Sequence, residues 1–229
     1  MRLIITLITL FFSAVTMCAR TNADTVRHAV LLVTDKGDIR IALYNETPRH
    51  RDNFLKLVRE GFYDGLLFHR VIDKFMIQAG DSASRNAAHG KLLGDSPEGY
   101  TVPAEINYPK LFHKRGVVGA AREGDDVNPA RASSASQFYI VYGKRFNDEM
   151  LDKEQQRLDR NTKETVKLTP EVREAYKAKG GTPHLDGQYT IFGEVLDGLD
   201  TVRDIEWVET DENDRPLVDV RIIRAKVLR

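Results

Sequence analysis

Apolar positions in this chain fall in short alternating runs divided by glycine, asparagine, aspartate and proline. Ala29–Thr34 reads as a strand, Asp35-Lys36-Gly37-Asp38 as a turn, and Ile39–Tyr44 as the returning strand of a hairpin. Thr47-Pro48 then opens a helix, with Thr47 as N-cap and Pro48 at the first helical position. Phe54, Leu57 and Val58 give it one apolar face, and Gly61 ends it. Phe68–Ile72 and Phe75–Ala79 read as two strands about a tight Asp73-Lys74 turn, and residues 81–115 as mostly loop. Gly116–Ala121, Gln137–Tyr142 and Thr190–Val195 are further strands, Leu199–Ile205 is a short helix, and Val218–Val227 is the last strand. Many short strands without β-α-β alternation predict a mainly β, closed structure rather than a doubly wound parallel sheet.

Two stretches break this pattern. Met1-Arg2 is followed by a nearly unbroken apolar run from Leu3 to Val15 and then by small polar residues. The run is too short to span a bilayer comfortably and fits the core of a signal peptide. Small residues at Thr21 and Ala23 set cleavage after Ala23, giving a leader over 1–23 and a domain over 24–229. A lipoprotein signal ending before Cys18 is the alternative, and a lipid on that cysteine is then the one expected membrane attachment. Either way the protein is expected to be exported, to the periplasm or cell envelope. The second break spans about 144–181, where charge is dense and strand alternation is lost. Thr169-Pro170-Glu171 starts a helix there, Val172, Ala175 and Tyr176 share a face, and Gly180-Gly181 stops it. This is a helical insertion, expected to pack one thin stripe on the body of the domain; a client-binding arm is the other reading.

Composition narrows the function classes. Of 229 residues 41% are hydrophobic and 30% charged, with a formal net charge of zero, so no field marks a nucleic-acid partner. Cys18 is the only cysteine, which leaves residues 24–229 without a thiol nucleophile, a disulfide or a cysteine metal ligand. His28, His50, His89 and His113 lack helical His-x-x-x-His spacing, Ser133–Ser136 is no nucleophile elbow, and no phosphate-binding glycine loop is present. Nothing in the composition suggests an obligate dimer, and a monomer is expected.

The stretch from Phe68 to Asp81 carries the chemistry. Strand alternation points Phe68, Arg70 and Ile72 to one side, and across the turn Phe75 and Gln78 can approach Arg70 if a bulge or twist allows it. By itself this reads first as a solvated or salt-bridged arginine beside a core Phe-Met pair. The order of residues decides it: FHRVI, two residues on FM, then Gln78 and Gly80-Asp81, resembles the signature of the cyclophilin family of prolyl isomerases. Gly116–Arg122 is similar to that family's G-[IV]-x-S-M-A-N strand, Ser136–Ile140 to its SQFFI strand, and Leu185-Asp186-Gly187 with Phe192-Gly193 to its LDG…FG segment. The resemblance covers roughly residues 28–228 and is interrupted only by the insertion.

The resemblance implies a closed eight-stranded antiparallel barrel capped by two helices, and a peptidyl-prolyl cis–trans isomerase acting on proline-containing polypeptides. Rotation about an X–Pro bond must break amide resonance over about 18–20 kcal/mol. The twisted prolyl nitrogen regains a lone pair, and a donor aimed at it favours the twisted state over the planar one. That chemistry calls for no cofactor and no metal. By position the family's roles fall on Arg70 as the donor, on Phe75 with Met76, Tyr139 and Leu185 for the proline ring, and on Gln78 for the substrate main chain. Ala121 and Arg122 line the groove, chiefly through their backbone. Arg122 stands where the family has Asn, His184 where it has Trp or Phe, Tyr189 where many members have His, and Tyr139 replaces a Phe. His184 implies weak cyclosporin binding, and the two tyrosines a more polar pocket. A proline-segment binding module or holdase with little turnover is the alternative function.

Overall fold

A computed structural model describes residues 28–96 and 99–228, so the leader and Cys18 lie outside the described residues. The strands are β1 (Ala29–Thr34), β2 (Gly37–Leu43), β3 (Phe68–Ile72), β4 (Met76–Ala79), β5 (Thr101–Val102), β6 (Val117–Ala120), β7 (Ser133–Ser134), β8 (Phe138–Val141), β9 (Ile191–Asp197) and β10 (Ile222–Leu228). The helices are α1 (Pro48–Arg59), α2 (Asp148–Thr162), α3 (Pro170–Lys179) and α4 (Leu199–Glu206). Eight strands form one antiparallel sheet in the order β10-β1-β2-β9-β6-β8-β4-β3, while β5 and β7 pair separately.

The closed barrel expected from sequence is not what the strand pairing gives: the sheet is a curled, open half-barrel with β3 and β10 at its edges. Those edges touch at one end only, through the Leu67–Arg221 bridge and the bonds Gly65 N–H to Ile222 O, Ile222 N–H to Leu66 O and Phe68 N–H to Val220 O. Further along β3 the loop at 211–216 intervenes, and Val71 donates to Asp214 O instead of to a strand.

The concave face of the sheet makes the main core. Val30, Leu32, Ile39, Ile41, Ile77 and Ile140 are all fully buried, with α1 contributing Phe54, Leu55, Leu57 and Val58 and α4 contributing Val202 and Ile205. Each such side chain is worth about 1.5–3 kcal/mol in water-excluded area. The start of α1 differs from its sequence reading. Thr47 occupies the N-cap position but its side chain makes no cap bond; Glu105, distant in sequence, accepts from Arg49 N at 3.1 Å and His50 N at 3.0 Å.

The insertion is more than a stripe. Helices α2 and α3 enclose a core of Phe146, Leu151, Leu158, Val166, Leu168, Val172 and Tyr176, against which Tyr108 and Phe112 pack. Asn147 caps α2 by accepting from Met150 N at 2.9 Å, and Thr169 caps α3 as expected. At the neck Gly181 bridges both Lys114 and Lys144. Gly143, Gly180 and Gly181 have φ of +63°, +82° and +146°, and a Cβ on any of them would strike neighbouring backbone.

Candidate active site

The signature stretch folds as two strands and the turn between them. Lys74 takes φ 57° in that turn, which brings β4 back beside β3 in the register Arg70–Gln78. Arg70 and Gln78 face each other directly across this ladder, and a register shift between Phe68 and Arg70 turns Phe68 into the core with Val71, so Phe68 does not share the side of Arg70 as strand alternation predicts. On the other side Gln78 pairs with Tyr139 of β8, and Tyr139 with Gly119 of β6. Gly119 is needed there: a Cβ would lie 2.7 Å from Tyr139 Cε2 and closer still to its hydroxyl. Three neighbouring strands, β3, β4 and β8, thus deliver Arg70, Gln78 and Tyr139 to one surface.

These residues line a cavity of about 160 Å³ together with Phe75, Met76, Ala121, Arg122, Leu185 and Tyr189. Nine of the ten residues singled out in sequence are therefore brought together. The tenth, His184, stands beside the cavity with its ring 5.2 Å from that of Phe75. Burial, with Arg157 and other cations nearby, lowers the His184 pKa to about 3, so the ring packs as a neutral aromatic.

Arg70 is half-exposed and loosely held. Its Nε donates to Asp214 Oδ2 and its Nη1 to Gln78 Oε1, both at 3.4 Å, long for such bonds. Two long bonds leave most of a five-donor fork uncommitted. Gln78 Nε2 donates to Gln137 Oε1 at 3.0 Å, and Gln137 Nε2 to Gly94 O at 2.7 Å, so both ends of the Gln78 amide are oriented by the chain. Phe75 is anchored through its backbone: its N–H donates to Glu206 Oε1 at 3.0 Å, and its carbonyl accepts from Tyr142 N and Gly143 N.

The Arg122 side chain is also held in place. Its guanidinium lies 4.4 Å from the Tyr189 ring centre, donates through Nε to Gln188 O at 2.9 Å, and pairs with Asp125 at 2.7 Å. The side chain is thereby a wall element whose charge is already balanced. The expected polarity from Tyr139 is absent, because its hydroxyl bonds His113 Nε2 at 2.9 Å, and His113 is not among the lining residues.

The family model described as cyclophilin type peptidyl-prolyl cis-trans isomerase/CLD matches residues 29–227. The chain belongs to this family. Among its relatives, a putative peptidyl-prolyl cis-trans isomerase of Staphylococcus aureus is 34% identical over 194 residues, covering 84% of this chain and 88% of that protein. A putative bifunctional phosphatase/peptidyl-prolyl cis-trans isomerase of Streptococcus pyogenes is 33% identical over 201 residues, covering 86% of this chain and 38% of that protein. The cyclophilin-type isomerase of Cryptosporidium parvum superposes with a TM-score of 0.63 at 25% identity, over 89% of this chain and 98% of that one. A second crystal structure of that isomerase, determined in the presence of the dipeptide Ala-Pro, gives 0.61 at 25% identity, over 88% and 99%. As a cyclophilin the protein is an enzyme of the peptidyl-prolyl cis-trans isomerase class, EC 5.2.1.8.

Sequence reasoning missed Asp214, Gln137, Glu206 and His113, the residues that orient Arg70, Gln78, Phe75 and Tyr139. Gln137 lies inside a quoted motif and could have been noticed; the other three lie far from the residues they support and carry no spacing signal.

Proposed function

We propose that this cyclophilin isomerises X–Pro bonds by donating a hydrogen bond from the Arg70 guanidinium to the prolyl nitrogen while the proline ring sits among Phe75, Met76, Tyr139 and Leu185. The observation that carries this reading is the shared cavity: a loosely held cationic fork beside an apolar slot that takes no charge of its own. In the planar amide the nitrogen lone pair is delocalised and offers the fork little; in the twisted amide it is localised and accepts. Selective stabilisation of the twisted form is what lowers a rotational barrier. The apolar walls strip water from the amide and strengthen that bond. Gln78 holds the main chain of the substrate, and Ala121, Arg122, His184 and Tyr189 shape the rest of the groove. Proline-containing polypeptides are the substrates, in keeping with the Ala-Pro dipeptide present with the Cryptosporidium parvum isomerase.

Exchange of a short Ala-Pro peptide, followed by two-dimensional exchange NMR, tests the role of Arg70. Removing a donor of this kind costs about 10²–10³-fold in rate. Arg70→Ala should lose that much while the fold, read by circular dichroism, is kept. Equal rates for wild type and variant would take Arg70 out of the mechanism, and peptide binding without acceleration by wild type would make the protein a binding module.

We further propose that residues 1–23 direct export and are then removed, so that the enzyme works on folding proteins outside the cytoplasm. Losing Arg2 and Arg20 leaves the domain at a net charge of about −2. Mass spectrometry of protein recovered from the cell envelope should find an N-terminus at Asp24. A lipidated Cys18 would replace free export by anchoring, and an intact Met1 would refute processing.

A further inference from the structure

A chain of buried hydrogen bonds runs from the insertion to the wall of the slot. Tyr176, on the buried face of α3, donates its hydroxyl to Asp186 Oδ2 at 2.7 Å. Asp186 Oδ1 accepts from His113 N at 2.8 Å and from His113 Nδ1 at 2.9 Å. A proton on Nδ1 leaves Nε2 as an acceptor, and the Tyr139 hydroxyl donates to it at 2.9 Å. None of the four side chains is more than 4% exposed. Burial raises both phenols well above the usual range, Asp186 adding to the rise at each, so both remain O–H donors.

Two further contacts tie the same parts together. Val166, between α2 and α3, lies against Gly187 so closely that a Cβ there would overlap it. Asp186 directly follows Leu185, itself a wall of the cavity. A phenylalanine at 139 would need none of this. A buried tyrosine hydroxyl needs a partner, since leaving it unpaired carries the full cost of its desolvation.

We propose that the insertion is a positioning device for the slot: Tyr176, through Asp186 and His113, holds the Tyr139 hydroxyl away from the cavity so that only the ring faces the proline. This rests on the slot being the proline site. Tyr176, Asp186 and His113 are positioning residues, and none of them touches the substrate. Without the Tyr176 hydroxyl, Asp186 Oδ2 loses its donor, Asp186 and the His113 bonded to its Oδ1 are held less firmly, and the Tyr139 hydroxyl gains freedom to turn toward the slot.

A double-mutant cycle with Tyr176→Phe and Tyr139→Phe tests this. Turnover and affinity for an Ala-Pro peptide are measured by NMR in the full domain, and melting midpoints are recorded alongside. Tyr176→Phe should weaken kcat/KM by about three- to tenfold, the worth of one buried hydrogen bond, mostly through KM. In the Tyr139→Phe background, where there is no hydroxyl to misplace, the same substitution should change kcat/KM by less than about twofold. Equal losses in both backgrounds would mean that Tyr176 supports only stability, and no loss in either would cut the insertion from the site; each result overturns the proposal. A wild-type protein that binds the peptide without accelerating exchange would instead refute the isomerase mechanism, and the cycle would then be read from peptide affinity alone.

Discussion

Glu206 offers a measurable link between the core and the slot. It lies at the end of α4, is 2% exposed, and accepts the N–H of Phe75 at 3.0 Å. Burial pushes its carboxyl from the ordinary 4.5 up to about 7; the Phe75 N–H opposes the rise, Asp73 adds to it, and the Lys74 N–H and Arg115 oppose it. The folded protein therefore keeps this proton to higher pH than the unfolded chain. Below about pH 4.5 both states hold it and the full stability is present. As pH rises toward 7 the unfolded state releases it first, stability falls, and the loss is complete above pH 7. At 1.36 kcal/mol per pH unit per proton, the interval between pH 5 and pH 8 is worth about 2–3 kcal/mol. Glu206→Gln removes the titration and keeps an oxygen for Phe75. Urea unfolding of both proteins at pH 5 and pH 8 isolates the effect, because a constant cost of the amide cancels between the two pH values. Wild type should lose about 2–3 kcal/mol relative to the variant on going from pH 5 to pH 8. Parallel pH dependences in the two proteins would refute the assignment.

Gly119→Ala places a methyl where Tyr139 Cε2 would be 2.7 Å away, so the ring must move into the slot. Peptide exchange should slow by about tenfold or more, as expected for an ångström-scale misplacement at a reacting site. Wild-type kinetics would show that the ring has room to retreat. Glu105→Ala removes the carboxylate that accepts from Arg49 N and His50 N at the start of α1. The expected cost is about 1–2 kcal/mol, seen as a lower urea midpoint at unchanged slope, with kcat/KM within about twofold of wild type. An unmoved midpoint would mean that water replaces the cap.

The parts of this molecule that were legible in its sequence are those fixed by neighbours in sequence. β1 and β3 begin and end where alternation puts them, and α3 starts at its Thr-Pro-Glu signal. Arg70, Phe75, Met76 and Gln78 are legible because their order in one short stretch matches the cyclophilin signature. Long-range partners left no such trace. Glu105 reaches α1 from across the chain, Asp214 reaches Arg70 across 144 positions, and neither has a spacing that betrays it. The closed barrel failed for the same reason, since the 211–216 loop takes the place of a strand beside Val71. Alternation of Val218 and Val220 with charged residues extends the predicted last strand too far toward the N-terminus. Val218 is in fact 74% exposed, and the ladder starts at Ile222. The insertion's core carries no sequence signal because Phe146, just before α2, and Val166 and Leu168, between α2 and α3, lie outside the helices, where no periodicity marks them.

The three glycines at the neck also set the rules for change in this protein. With backbone packed on backbone at 143, 180 and 181, the crossing admits two bare threads of chain and nothing wider. Helices α2 and α3 lie beyond it as a cassette tied back to the body through Tyr176, Val166 and the packing of Tyr108 and Phe112, so the surface turned away from those contacts is what can change without reopening the sheet. Editing stops at the crossing itself, where one added methyl group would wedge the cassette off its mount.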